Sequence, residues 1–200
     1  MHPYVFLLDT YATERLKTLS VWAQFTDADL WFRPEPRART PLEQMVHQCV
    51  SEDVWMQRML DIDVGMPALP AREDRLGFLE QYAEASARRL EHLRSRPAEW
   101  FAGETRFFDV TRSRAWVLTR RIAHSAHHRG QLTTYLRVLD RALYSTYGPT
   151  ADTGGLFQQG APVIYRYRSV EELLEAERDG ALVGPALPGP GSTPPTERPG

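Results

Sequence analysis

The chain has 200 residues, 42% hydrophobic and 25% charged. That balance excludes a wholly disordered, collagen-like or disulfide-stapled chain and fits one domain with an appended tail. Its 24 Lys and Arg against 26 Asp and Glu leave a net charge of −2, which gives no electrostatic ground for binding nucleic acid or an acidic membrane.

Cys49 is the single cysteine, so an internal disulfide is excluded and a reducing, cytoplasmic setting is expected. The apolar run Tyr4–Leu8 stops at Asp9, too short for a signal peptide, and no long apolar stretch predicts a membrane span. A first helix is predicted over residues 3–25, where Val5, Leu8, Ala12, Leu16 and Leu19 recur at spacings of three and four. Pro34 and Pro36 make 31–39 a loop. Thr40, Pro41 and Glu43 then form a capping box with proline at the first helical position, opening a second helix that runs to about Leu60. Gly65, Pro67 and Pro70 break it. A third helix covers about 73–96, with Leu76, Leu79, Ala83, Ser86, Leu90 and Leu93 as its seam and Pro97 as its stop.

Residues 100–110 are aromatic and β-prone and predict a long crossing connection. A fourth helix runs from about Arg114 to Arg141, with Leu118, Ile122, Leu132, Leu136 and Leu139 on one side. The glycines and proline of 148–155 predict a flexible loop, and Ser169 with Glu172 caps a short helix to about Asp179. The prolines and glycines of 181–200 predict a disordered tail. The expected organisation is an all-α four-helix bundle with a short C-terminal helix over 1–180, then the tail at 181–200. Its longest connection lies between helices three and four, so a simple up-down-up-down path is not implied.

Three of the six histidines crowd one turn of the fourth helix as His124-Ser125-Ala126-His127-His128. At roughly 100° per residue, His128 projects about 40° from His124, and both look toward the apolar arc, whereas His127 falls at its edge or outside it. Two imidazoles one turn apart can share a metal at ~2.0–2.1 Å, and a further ligand must come from another helix. His47 in the second helix is the natural donor. Its neighbours Val50 and Val54 support an inward position, yet the wider apolar arc of that helix lies on the far side, so spacing permits His47 without requiring it. A solvated or border role fits His92, and His2 lies at the terminus. Trp55, Met56 and Met59 read as core packing, and the pairs Arg88-Arg89 and Arg120-Arg121 as solvated faces.

Other chemistries lack their residues. No Gly-rich phosphate loop or G-x-S-x-G elbow occurs, and Ser125 stands where H-E-x-x-H requires glutamate. Cys49 lies mid-helix on the apolar side, unsuited to a nucleophile.

The segment Leu42–His47, followed after a long interval by His124-Ser125-Ala126-His127-His128-Arg129-Gly130-Gln131-Leu132, resembles the DinB/YfiT-like family over about residues 3–145. The signature of that family is H-x-x-x-H-R-G-Q in the last bundle helix plus a histidine in the second. The resemblance implies an up-down-down-up four-helix bundle with its long crossover between helices two and three, which disagrees with the loop lengths. It implies a homodimer and a divalent metal, zinc or nickel, held by His47, His124 and His128. Characterised members act with low-molecular-weight thiols such as bacillithiol or mycothiol, as S-transferases or a thiol-dependent isomerase.

The expected function is therefore a metal-dependent enzyme of the thiol S-transferase type acting on a small-molecule substrate. A metal-dependent hydrolase and a non-catalytic, damage-inducible metal-binding dimer are the alternatives. Three histidine ligands leave a coordination position open to water or substrate. Gln131, three residues after His128, is expected to hydrogen-bond a metal-bound water or orient a ligand. Arg129 is expected to bind a carboxylate or a neighbouring helix. Gly130 costs a helix about 1 kcal/mol against Ala, which suggests close approach of a neighbour. Glu43, Gln44, Ser51 and Glu52 are the nearest candidates for an additional ligand.

Overall fold

A computed structural model describes residues 3–180 and 184–192. Four long helices form the body: α1 (Val5–Trp22), α2 (Pro41–Leu60), α3 (Arg75–Arg94) and, after a short α4 (Ala98–Ala102) and the hairpin β1 (Glu104–Phe107) and β2 (Val110–Ser113), α5 (Arg114–Val138). A last helix, α6 (Val170–Arg178), lies against α3 and α1. Local chemistry sets the starts. The Thr40 hydroxyl accepts from the Glu43 N–H at 3.2 Å while the Glu43 carboxylate accepts from the Thr40 N–H at 2.8 Å, which is the expected capping box. Asp74 caps α3 through the Gly77 N–H, and Ser169 caps α6 through the Glu172 N–H.

Two apolar clusters give the chain direction of each helix. One joins Leu19 and Trp22 late in α1, Met45 and Cys49 early in α2, Phe78 and Tyr82 early in α3, and Leu132 and Leu136 late in α5. The other joins Leu7 and Leu8, Met56 and Leu60, Leu90 and Leu93, and Val117 and Leu118, which are the opposite ends of the same four helices. Helices α1 and α5 therefore run one way and α2 and α3 the other. The bundle is up-down-down-up.

The segment 61–74 must cross the whole bundle to reach the start of α3, as the family resemblance implies. The longer segment 95–113 crosses nothing. Its residues go into α4 and the hairpin at one end, so counting loop residues misplaces the crossover. The stretch 148–155 is also better anchored than its composition suggests: Thr153 is fully buried, and its hydroxyl accepts from the Thr150 N–H at 2.7 Å. Residues 184–192, within the predicted tail, hold no helix but touch this loop. The Gly189 N–H donates to the Asp152 carbonyl at 3.0 Å and the Tyr144 hydroxyl to the Pro185 carbonyl at 2.9 Å. The rest of that predicted tail, 181–183 and 193–200, lies outside the described residues.

A buried polar layer separates the two apolar clusters. The Glu52 carboxylate, with no exposed surface, accepts from the hydroxyls of Tyr11 at 2.5 Å and Tyr82 at 3.0 Å. It faces Arg89 at 3.5 Å and Arg121 at 3.6 Å, both buried. Arg89 also reaches Asp53, and Arg121 donates to the Ser51 and Ser125 hydroxyls. One arginine of each pair read as solvated is therefore internal, while Arg88 and Arg120 are exposed. Removing Glu52 leaves two guanidiniums buried without their shared counter-charge. Glu52→Ala is expected to destabilise the fold by about 3–5 kcal/mol, read from urea unfolding midpoints, whereas Arg120→Ala on the outer face is expected to shift it by less than about 0.5 kcal/mol.

Candidate metal centre

The three histidines meet at the junction of α2 and α5. One nitrogen from each of His47, His124 and His128 lies within 4.8 Å of the others. Ring centroids stand 5.3 Å apart for His47 and His124, 4.6 Å for His47 and His128, and 4.4 Å for His124 and His128. His128 is buried, His47 and His124 are half-buried, and His127 is exposed, as the helical arithmetic requires. His47 projects from the border of α2, between buried Gln44 and Gln48 and exposed Val50, which is why the apolar arc alone did not assign it.

Hydrogen bonding fixes one ring. The Gln131 side-chain oxygen accepts from Gln44 Nε2 at 2.9 Å and pairs with His128 Nδ1 at 2.9 Å. Since that oxygen can only accept, Nδ1 carries the His128 proton and Nε2 is left with a free lone pair. His128 Nε2 lies 3.2 Å from His124 Nε2. Two nitrogens each ~2.0–2.1 Å from one ion at a tetrahedral angle stand about 3.4 Å apart, so this pair fits a shared divalent ion. A histidine ligand whose other nitrogen donates to a carbonyl-type oxygen is the usual support for such an ion. His124 differs, because its Nδ1 is buried with no partner among the described residues. Its ring is placed instead by packing against Trp55, with centroids 5.6 Å apart.

The surroundings keep all three rings neutral. Burial, then Arg39 and Arg121, push His47 below the ordinary imidazole range. Burial, then Arg121 and the neighbouring imidazoles, bring His124 down to about 3. Burial also lowers His128 to about 4, against the opposing effect of the hydrogen bond it donates to Gln131. Neutral imidazole is the form that ligates a cation.

The remaining candidates are engaged elsewhere. Glu43 caps α2 and pairs with Arg33, Ser51 accepts from Arg121, and Glu52 belongs to the buried layer. Gln44 acts through Gln131. None joins the three-histidine group among the described residues, so three imidazoles leave coordination positions open. Arg129 is buried and pairs with the Glu14 carboxylate, the Thr18 hydroxyl and the Tyr147 hydroxyl. Gly130 does not meet a neighbouring helix: a Cβ there would face open space, and by helical arithmetic it stands about 200° from His128, on the outer face. Sequence reasoning missed Trp55 and Arg121 as neighbours of the histidines and offered Gln44 as a ligand, whereas it holds Gln131. Arg121 had a readable signal, because it lies about 20° from Leu132 on the helix and so falls within the apolar arc.

These depressed imidazoles make the metal-free fold acid-sensitive. Above about pH 6.5 neither state binds a proton at these rings. Below it the unfolded imidazoles take up protons that the folded ones refuse until about 4 and 3, so stability falls with pH across that window. The expected result is a larger drop in Tm between pH 7.5 and 5 for chelator-treated wild type than for a His124→Asn/His128→Asn variant, measured by circular dichroism.

Comparison with known proteins follows the same lines. The DinB family model matches residues 4–155. A DinB-like protein from Bacillus cereus ATCC 10987 is 20% identical with a TM-score of 0.64, covering 70% of this chain and 95% of that one. A DinB-like protein of Bacillus subtilis, YjoA, is 12% identical with a TM-score of 0.54, covering 67% of this chain and 92% of that one. At these identities the two structures speak for the fold alone. No curated protein matches the chain.

Proposed function

The chain belongs to the DinB family, and from that premise we propose that it is a divalent-metal-dependent enzyme whose ion, zinc or nickel, is held by His47, His124 and His128. The observation that carries the reading is the convergence of three neutral imidazoles from two helices on one point. A bound divalent ion supplies Lewis acidity, which lowers the pKa of a thiol or a water at an open position. The family resemblance favours the thiol: in the proposed reaction the sulfur of a low-molecular-weight thiol, bacillithiol or mycothiol, would form a C–S bond to an electrophilic carbon of a small-molecule substrate as the bond to its leaving group breaks, the thiol proton leaving with that group or to solvent.

The residues of the chain have separate tasks in this reading. Gln131, held by Gln44, fixes the His128 tautomer and aims Nε2 at the shared point. Trp55 covers one face of His124 and limits water on that side. His127 lines the same cavity as His124 while remaining exposed. No described helix is long and apolar enough to cross a membrane; a cytoplasmic setting is part of the proposal. A homodimer is part of the proposal.

Wild-type protein is expected to retain about one divalent ion per chain by elemental analysis, with His47→Ala, His124→Ala and His128→Ala each reducing that content. Gln131→Leu is expected to keep the fold while weakening metal affinity roughly 10–100-fold in chelator competition. The activity test is consumption of an alkylating electrophile with bacillithiol, mycothiol or glutathione, lost on chelation. Thiol-independent ester cleavage would assign hydrolase chemistry instead, and metal retention without turnover a binding role. Unchanged metal content in all three alanine variants would refute the centre.

A further inference from the structure

On one side of the three-imidazole cluster, Trp55 continues into aromatic rings that do not touch the histidines. Trp55, which packs on His124, meets Phe107 at 5.2 Å and Phe108 at 6.1 Å between centroids, and Phe107 meets Trp116 at 5.0 Å. These rings come from α2, the hairpin and the start of α5. They are not sealed into the core: Phe108 is 64% and Trp116 37% exposed.

The hairpin makes that exposure at a cost. Phe107 pairs with Val110, so the turn is Phe108-Asp109, and Phe108 occupies the left-handed region at φ 52°. Glycine or asparagine fills such a position without strain, and a bulky residue there is a conformational outlier. Strain of this kind concentrates at functional sites. Here it coincides with an aromatic ring facing solvent near His124.

Beside these rings lies a cavity of about 320 Å³ lined by Arg120, Ala123, His124 and His127, which adjoins the wall where His124 packs on Trp55 and Arg120 approaches Trp116. Arg120 is exposed and stands 6.0 Å from the Trp116 ring, with no carboxylate partner among the described residues. Arg39 and Arg121 are the charged side chains felt by His47, whereas the nearby carboxylates Glu52 and Asp53 are bound to Arg89 and Arg121.

We infer that this groove takes an organic anion with a flat apolar body, its carboxylate or similar oxyanion on Arg120 and its body against Trp55, Phe108 and Trp116. An exposed guanidinium without an internal counter-ion is suited to a planar oxyanion, and a rigid aromatic wall to a planar apolar group. The inference deepens the proposed function by naming the substrate class, and it rests on that reading only for what reacts, not for what binds.

The test therefore uses metal-free and zinc-loaded wild-type protein side by side. 2-Naphthoate, 2-naphthalenemethanol and acetate are titrated by calorimetry and by quenching of tryptophan fluorescence. In both forms 2-naphthoate is expected to bind at least tenfold more tightly than either of the others. Arg120→Gln should abolish its advantage over the neutral alcohol. Phe108→Gly should weaken both naphthyl probes at least fivefold while its Tm stays equal or rises, because it removes ring and strain together. A ring that served packing alone would instead lower the Tm and leave binding unchanged.

Equal affinities for naphthoate and the alcohol, or a preference indifferent to Arg120→Gln, would overturn the proposal. So would a Phe108→Gly variant altered only in oligomeric state, which would assign the wall to a second copy of the chain. If wild-type protein fails to load zinc, the metal reading falls, while the metal-free titrations still decide the anion site.

Discussion

The rotation of α5 about its own axis is the constraint on which the site depends. Two buried arginines set it. Arg121 reaches across to Glu52 and Ser51 on α2, and Arg129 reaches to Glu14 and Thr18 on α1. By helical arithmetic Arg129 and His124 stand about 140° apart, with Leu132 and Arg121 between them. A turn of α5 large enough to move the histidines off α2 would pull both guanidiniums from the carboxylates that balance them among the described residues. Breaking a buried pair by removing one partner costs about 3–5 kcal/mol, far more than the packing difference between neighbouring helix rotations. Apolar side chains fill space in several ways, whereas these two contacts have one geometry. The ionic layer thus acts as a register device for the imidazoles.

The same arrangement explains how a charged interior coexists with uncharged ligands. Arg121 lies one turn before His124 and opposes a proton there, yet its own charge is balanced by Glu52 on the other side. Glu52 in turn is screened from the histidines by the guanidinium it holds, and no carboxylate stands among the groups that raise or lower the three rings. Imidazoles set beside a free carboxylate would be drawn toward protonation. Placing the acid behind the arginine keeps the rings neutral and leaves the open side of the groove cationic.

Much of this was legible in the sequence, and the misses have particular causes. The Thr40–Glu43 box, the α3 seam and the His124–His128 pair are local features whose geometry needs no partner, and each stands where the spacing placed it. The signature in α5 carried the resemblance, and the resemblance carried the crossover that loop counting misplaced. What spacing could not supply was the far side of each contact. Gln44 and Gln131 are distant in the chain and become one hydrogen-bonded unit only through the α2–α5 packing. The arginine pairs misled because adjacent charges look alike in sequence, although consecutive residues point about 100° apart and one of each pair falls on the buried arc. Gly130 was read as a contact point from its composition alone, when its angle already put it outside.

His128 and His124 illustrate two ways of holding a ligand ring. The first is fixed in tautomer and direction by an amide network, and the second is confined by the Trp55 face with its Nδ1 unpaired. The fixed ring retains its aim whether or not an ion is present. The confined ring makes no hydrogen bond at Nδ1, and because His128 Nε2 is unprotonated its own proton sits on Nε2, 3.2 Å from that lone pair. An ion held here would find the His128 nitrogen already unprotonated and would displace the His124 proton, with His47 coming from α2. Trp55 belongs both to the support of His124 and to the aromatic wall, so one indole ring from α2 is shared between the candidate centre and the hairpin that flanks it.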